Sequence, residues 1–130
     1  MRVKQVLTVV FVLSLMAAFA GLASAHHSVA GFDNSKEVVL KGTVAQFIWR
    51  NPHVLLEWDV KGEDGKVTRW SGEMNSPTSM IQVGMNRNSL KPGDEVVVVL
   101  NPSKTGNPLA VIRKVNMADG KLVVDRITPQ

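Results

Sequence analysis

The stretch "HVLLEWDVKGEDGKVTRWSGEM", residues 53–74, decides the fold of this chain. Val54, Leu56, Trp58 and Val60 alternate with His53, Leu55, Glu57 and Asp59, the period of two expected of a strand with one face buried. Glu63-Asp64-Gly65-Lys66 follows and contains Asp-Gly, the strongest short hairpin signal. Beyond it Thr68, Trp70 and Met74 alternate with Arg69, Ser71 and Glu73, so a second strand returns beside the first.

Upstream, "VVLKGTVAQFIW", residues 38–49, is rich in β-branched and aromatic side chains. It predicts a first strand in which Gly42 marks a bulge or sharp bend. Strict alternation there places Phe47 and Trp49 on a face with Lys41 and Thr43, and Val44 and Ile48 on the other. Arg50-Asn51-Pro52 turns the chain into the second strand, giving an antiparallel meander of three.

Downstream, Ser76-Pro77 offers an N-cap followed by proline at the first helical position, "TSMIQV" supplies about two turns, and Gly84 suits the left-handed cap. "LKPGDE" is a turn and "EVVVVLNP" a strand apolar on both faces. "PLAVIRKVNMADGKLVV" reads as a strand, a turn at Ala118-Asp119-Gly120 and a short last strand. Three strands, one short helix and further strands is the order of a small five-stranded Greek-key β-barrel of the OB type, with the helix between strands three and four. The expected fold class is therefore mainly β, with the barrel over residues 38–125 and a tail at 126–130. Another small all-β roll or sandwich has a similar strand count.

The amino-terminal residues predict a destination. "MRVKQ" carries two cations, an uncharged run from Val6 to Ala23 follows, and Ala23-Ser24-Ala25 fits a signal-peptidase site, so residues 1–25 read as a secretory signal peptide. A run of about 18 apolar residues can also just span a bilayer. The small triplet ahead of His26-His27-Ser28 favours cleavage over a stable membrane anchor. The chain has no cysteine, which excludes disulfides and a lipidated cysteine. The expected location is periplasmic or secreted. Lysines and arginines number 15 against 11 acids; Arg2 and Lys4 leave with the signal, and the small positive balance that remains implies no particular partner. Residues 26–37 read as an extended arm ahead of the barrel.

The chain has three histidines: His26, His27 and His53. With cleavage after Ala25, His26 offers its α-amine and its ring to one ion, and His53 can add a second imidazole, a nitrogen set that suits Cu(II). His27 is the alternative ligand. An arm of this length, extended at about 3.3 Å per residue, can run back beside the first strand to the turn at Asn51-Pro52-His53. In an OB barrel that turn belongs to the usual binding face, so Trp49, Asn51 and His53 are the candidate ligand-binding residues. Histidines behind a signal sequence and after an Asn-Pro turn also have a plain structural explanation.

Other chemistries find less support. Glu57 and Asp59 lie two apart on one strand face, a spacing that alternation alone explains, and Arg69 and Glu73 on the neighbouring strand are expected to pair with them across the sheet. No G-x-S-x-G elbow surrounds Ser28. Nucleic-acid binding needs stacking aromatics and a basic groove, and Trp58 and Trp70 belong to the core instead. Met74, Met80, Met85 and Met117 read as packing residues rather than a thioether metal site.

The segment after the signal resembles the bacterial exported family of unknown function numbered 6152. The resemblance rests on "AHHS" at 25–28 with Phe32-Asp33, "GTV" at 42–44, "NPHV" at 51–54, "SP" at 76–77 and "LKPGDEV" at 90–96. It implies an OB-like barrel and no catalytic residue, and it makes His26, His27 and His53 part of a family pattern. Two functions are then expected: a non-enzymatic binding domain for a small ligand or protein, monomeric or weakly oligomeric, or a periplasmic copper-binding protein or copper oxidative enzyme built on His26 and His53.

Overall fold

A computed structural model describes residues 30–125, and the compact unit that contains the barrel begins at Gly31. Its elements are β1 (Val38–Ile48), β2 (Leu55–Lys61), β3 (Val67–Glu73), α1 (Pro77–Gln82), β4 (Glu95–Pro102), β5 (Leu109–Met117) and β6 (Leu122–Val124). The sheet runs β3-β2-β1-β4-β5-β6, and β3 pairs again with β5, in parallel, from Ser71 opposite Leu109 to Glu73 opposite Val111. That second pairing closes β1, β2, β3, β5 and β4 into the expected OB-like barrel, with α1 between the third and fourth strands. The short β6 adds to the outside edge of β5 behind the turn at Ala118-Asp119-Gly120. Among the described residues no helix is long and apolar enough to cross a membrane.

The hairpin forms where its sequence predicts it. Gly62 N donates to Lys66 O at 2.8 Å, and the strands then pair in register from Lys61 opposite Val67 to Leu55 opposite Glu73. Alternation fixes the faces: Val54, Leu56 and Trp58 are buried in the core, while the odd-numbered residues face outward. Trp58 lies opposite Trp70, with ring centroids 6.1 Å apart.

Gly42 and Gly72 shape the space for Trp58. A Cβ at Gly42 would stand 2.8 Å from Trp58 Cδ1 and collide with the Asp59 carbonyl, and one at Gly72 would stand 3.1 Å from Trp58 Cζ3 and 2.6 Å from Ile112. Only a residue without Cβ admits the indole and neighbouring backbone this closely.

β1 has two partners in succession: β4 from Val38 to Thr43, then β2 from Thr43 to Ile48. Gly42 sits at the changeover, but the bulge itself is at Ala45, which is skipped between the pairs Val44 with Trp58 and Gln46 with Glu57. One extra residue reverses the alternation beyond it. Phe47 and Trp49 therefore pack against the core with Val44, rather than sharing the face of Lys41 and Thr43.

Local signals also place α1. Ser76 caps it by accepting from Ser79 N at 3.3 Å, with Pro77 as the first helical residue. At the other end Gly84 N donates to Ile81 O and Met85 N to Met80 O, the paired bonds of a Schellman termination. Met80 and Met85 are both buried, so the short helix is held by packing at its end more than by its own length.

Candidate functional site

The site residues inferred from the sequence meet in part around the β1–β2 connection. Trp49 is half-buried, packs on the core and meets Phe47 edge-on, with ring centroids 5.9 Å apart and an interplanar angle of 64°. Asn51 is exposed, and its peptide bond to Pro52 is cis. His53 precedes β2 and is half-buried. His26 and His27 lie outside the described residues, as do the signal-peptide reading and the tail at 126–130.

His53 is positioned by backbone pairing of the next residue. Val54 N donates to Asn75 O at 3.0 Å and Met74 N to Val54 O at 2.8 Å, which sets the start of β2 against the end of β3. With Leu55 opposite Glu73, His53 Nδ1 comes to 3.7 Å from Glu73 Oε2. That separation is a charge contact when the ring is protonated and is too long for a hydrogen bond. The flanking register runs from Ile48 to Leu55 to Glu73, so two half-buried aliphatic side chains stand beside the pair.

Glu73 therefore does not share the carboxylates of β2 with Arg69, as the strand pattern suggests; it faces His53. Arg69 grips Asp59 with two hydrogen bonds, Nε to Oδ1 at 2.6 Å and Nη2 to Oδ2 at 2.9 Å, and approaches Glu57 at 3.9 Å. The hydrogen bond from Arg69 holds the Asp59 carboxyl below its ordinary value, against a smaller opposing effect of burial, and the Arg69 charge adds to the lowering. One guanidinium thus reaches both carboxylates, and its hydrogen bonds keep Asp59 in the charged form.

Two further segments border this region, through contacts that join residues distant in sequence. The loop between β4 and β5 reaches β3 through Ser71 N, which donates to Pro108 O at 3.0 Å, and it leaves Leu109 exposed. The arm joins that loop: Phe32 bridges Ser103, Asp33 N donates to Pro102 O at 2.9 Å, and Lys104 N donates to Gly31 O at 2.9 Å. From Gly31 onward the arm extends the line of β1 along the end of β4, and does not fold back beside β1. These contacts join residues about 70 apart in sequence, where no local pattern carries information.

Among the described residues no group of three or more histidine, cysteine, aspartate or glutamate side chains is placed to hold a metal ion. A half-open pocket of about 400 Å³ lies elsewhere, lined by Gly84, Ser89, Met117, Asp119, Lys121, Leu122 and Val123. It sits between the end of α1 and the β5–β6 hairpin.

Residues 13–116 match the model described as "Family of unknown function (DUF6152)". The chain belongs to this family. No curated protein matches it. Membership in DUF6152 covers the whole region from the arm to β5 and assigns no activity to it, so the functional reading rests on the site.

Proposed function

We propose that this DUF6152 protein is an exported, non-enzymatic binding domain that holds a small ligand or a protein segment against the β1–β2 connection. One observation carries the reading: His53 and Glu73 stand together, partly exposed, where the start of β2 meets the end of β3, beside half-buried Ile48 and Leu55. OB barrels use the face of strands two and three, with the loops after strands one and four, to take their ligands. A polar pair beside aliphatic surface supplies orientation and contact area together.

The same face supports a non-nucleic-acid ligand. Glu57, Asp59 and Glu73 stand on it against Arg69 and His53, a balance that repels phosphate rather than collecting it. Export follows from the leader, with the mature chain beginning at His26 and released from the membrane. Intact mass of the protein recovered from the periplasm or medium tests this: a terminus at His26 supports export, and an unprocessed chain contradicts it.

The binding reading is tested by screening small compounds for those that raise the melting temperature, then repeating the hits on Trp49→Ala, Asn51→Ala and His53→Ala. Hits that lose their effect on at least one variant support the site. Hits indifferent to all three place binding elsewhere.

A second reading is copper binding. His26 would supply its amine and ring, His53 its ring, and His27 would be the alternative ligand. It rests on the amine-and-ring chelate that a terminal histidine offers and on the partial exposure of the His53 side chain ahead of β2. Cu(II) titration followed by electron paramagnetic resonance tests it: a nitrogen-rich signal lost in His53→Ala and in a chain lengthened by one amino-terminal residue supports it, and a signal indifferent to both contradicts it.

A further inference from the structure

We infer that the pocket between the end of α1 and the β5–β6 hairpin is a second binding site, one that takes a small zwitterion with an apolar body, such as an aliphatic or aromatic amino acid. It shares no residue with the β1–β2 connection and stands or falls independently of it.

The pocket has an apolar floor and a polar rim. Met117 and Val123 are partly buried and pack against the core, and Leu122 beside them is 53% exposed. Asp119, Lys121 and Ser89 form the rim. The volume of about 400 Å³ lies within the range of about 300–1,000 Å³ that small-molecule sites occupy. At about 30 Å³ for each molecule of liquid water, it has room for roughly a dozen non-hydrogen atoms.

The charges decide the ligand class. Asp119 and Lys121 border one pocket with opposite signs, yet they form no ion pair with each other or with any other side chain among the described residues. Hydrogen bonds close the turn that carries them: Asp119 Oδ1 accepts from Lys121 N at 2.9 Å, Met117 N donates to Lys121 O at 2.8 Å and Gly120 N to Met117 O at 2.9 Å. Across the pocket, the Ser89 hydroxyl oxygen accepts from Asn86 N at 2.8 Å, which leaves its proton to donate. A ligand carboxylate therefore meets Lys121 and Ser89, a ligand ammonium meets the second oxygen of Asp119, and the apolar body rests on Met117, Leu122 and Val123. Charge-assisted hydrogen bonds at both ends fix the orientation, and the floor supplies contact area. A simple anion leaves Asp119 without a partner, and a simple cation leaves Lys121 without one.

The molecule carries its own control. Asp64-Gly65-Lys66 repeats the three residues of Asp119-Gly120-Lys121 in the same kind of turn: Asp64 Oδ1 accepts from Lys66 N at 3.0 Å, and the glycines have φ of 81° and 90°. Aspartate and glycine answer to the turn in both places, whereas the lysine side chains take no part in it. The β5–β6 turn borders the pocket and the β2–β3 turn does not.

The test is isothermal titration of the protein with phenylalanine and leucine, beside phenylpropionate and phenylethylamine, which keep one charge each. It compares wild type with Lys121→Gln, Asp119→Asn and the controls Lys66→Gln and Asp64→Asn, each checked for an unchanged ligand-free melting temperature. Asparagine preserves the turns, because its side-chain oxygen still accepts from the backbone. One equivalent of either amino acid that weakens at least about tenfold in both pocket variants, is unchanged in both controls and binds at least about tenfold tighter than the singly charged analogues supports the site. Weakening in one pocket variant alone, or an analogue that binds as tightly, overturns the zwitterion. Binding indifferent to Lys121 and Asp119, or none in wild type, overturns the site. The amino acids are kept out of the compound screen, which decides the β1–β2 connection separately.

Discussion

Gly42 faces the Asp59 carbonyl so closely that any Cβ at this position would collide with it and stand 2.8 Å from Trp58 Cδ1. The contact lies where β1 leaves β4 for β2, so relief requires the two halves of the barrel to separate. Gly42→Ala is expected to destabilise the protein by at least about 1–3 kcal/mol, the usual cost of overpacking. Urea unfolding measures it. A variant as stable as wild type would show that the strands do not approach in this way.

The Asp59–Arg69 pair predicts a dependence on pH. The folded-state pKa of Asp59 is lowered, first by the hydrogen bond from Arg69, so its contribution is present above the unfolded value of about 3.9 and is lost as pH falls through the folded value. Melting temperature recorded from about pH 7 to about pH 2 should fall more steeply in wild type than in Asp59→Asn below about pH 4. Parallel curves would mean that the bidentate contact does not persist in solution.

Ser76 caps a helix of 6 residues, too short to persist without its ends. Ser76→Ala is expected to cost about 0.5–2 kcal/mol and to speed amide exchange at Ser79 and at Met80, whose N–H bonds to Ser76 O. Exchange at wild-type rates would assign the stability of α1 to Met80 and Met85 packing alone.

The features legible in the sequence are those encoded within a few residues. Asp64-Gly65 fixed the hairpin, Ser76-Pro77 and Gly84 the helix, and the alternation from Val54 to Val60 the buried face of β2. The bulge at Ala45 has no such code. It arises because β1 must twist between two partners, and alanine at the extra position differs in no way from alanine in a regular strand. Strict alternation carried through Ala45 put Phe47 and Trp49 on the wrong face, whereas Gly42, expected as a bulge or sharp bend, stands where β1 changes partners.

The site was legible only in its members. His53 stood out as a histidine after a turn, but its partner follows from the register that sets Leu55 opposite Glu73, a quantity fixed by strand length and the hairpin together. From the sequence, Glu73 and Arg69 together read as cross-strand partners of Glu57 and Asp59. The structure separates the two, giving Arg69 to Asp59 and Glu57, and Glu73 to His53.

The location of the binding face is the central claim, and an amide chemical-shift map tests it most directly. The isotope-labelled protein would be titrated with the compounds that raise its melting temperature. The account predicts the largest shifts at Trp49–Leu55 and at Ser71–Asn75. Largest shifts at Gly84, Ser89 and Met117–Val123 would contradict it, placing binding in the pocket between the end of α1 and the β5–β6 hairpin.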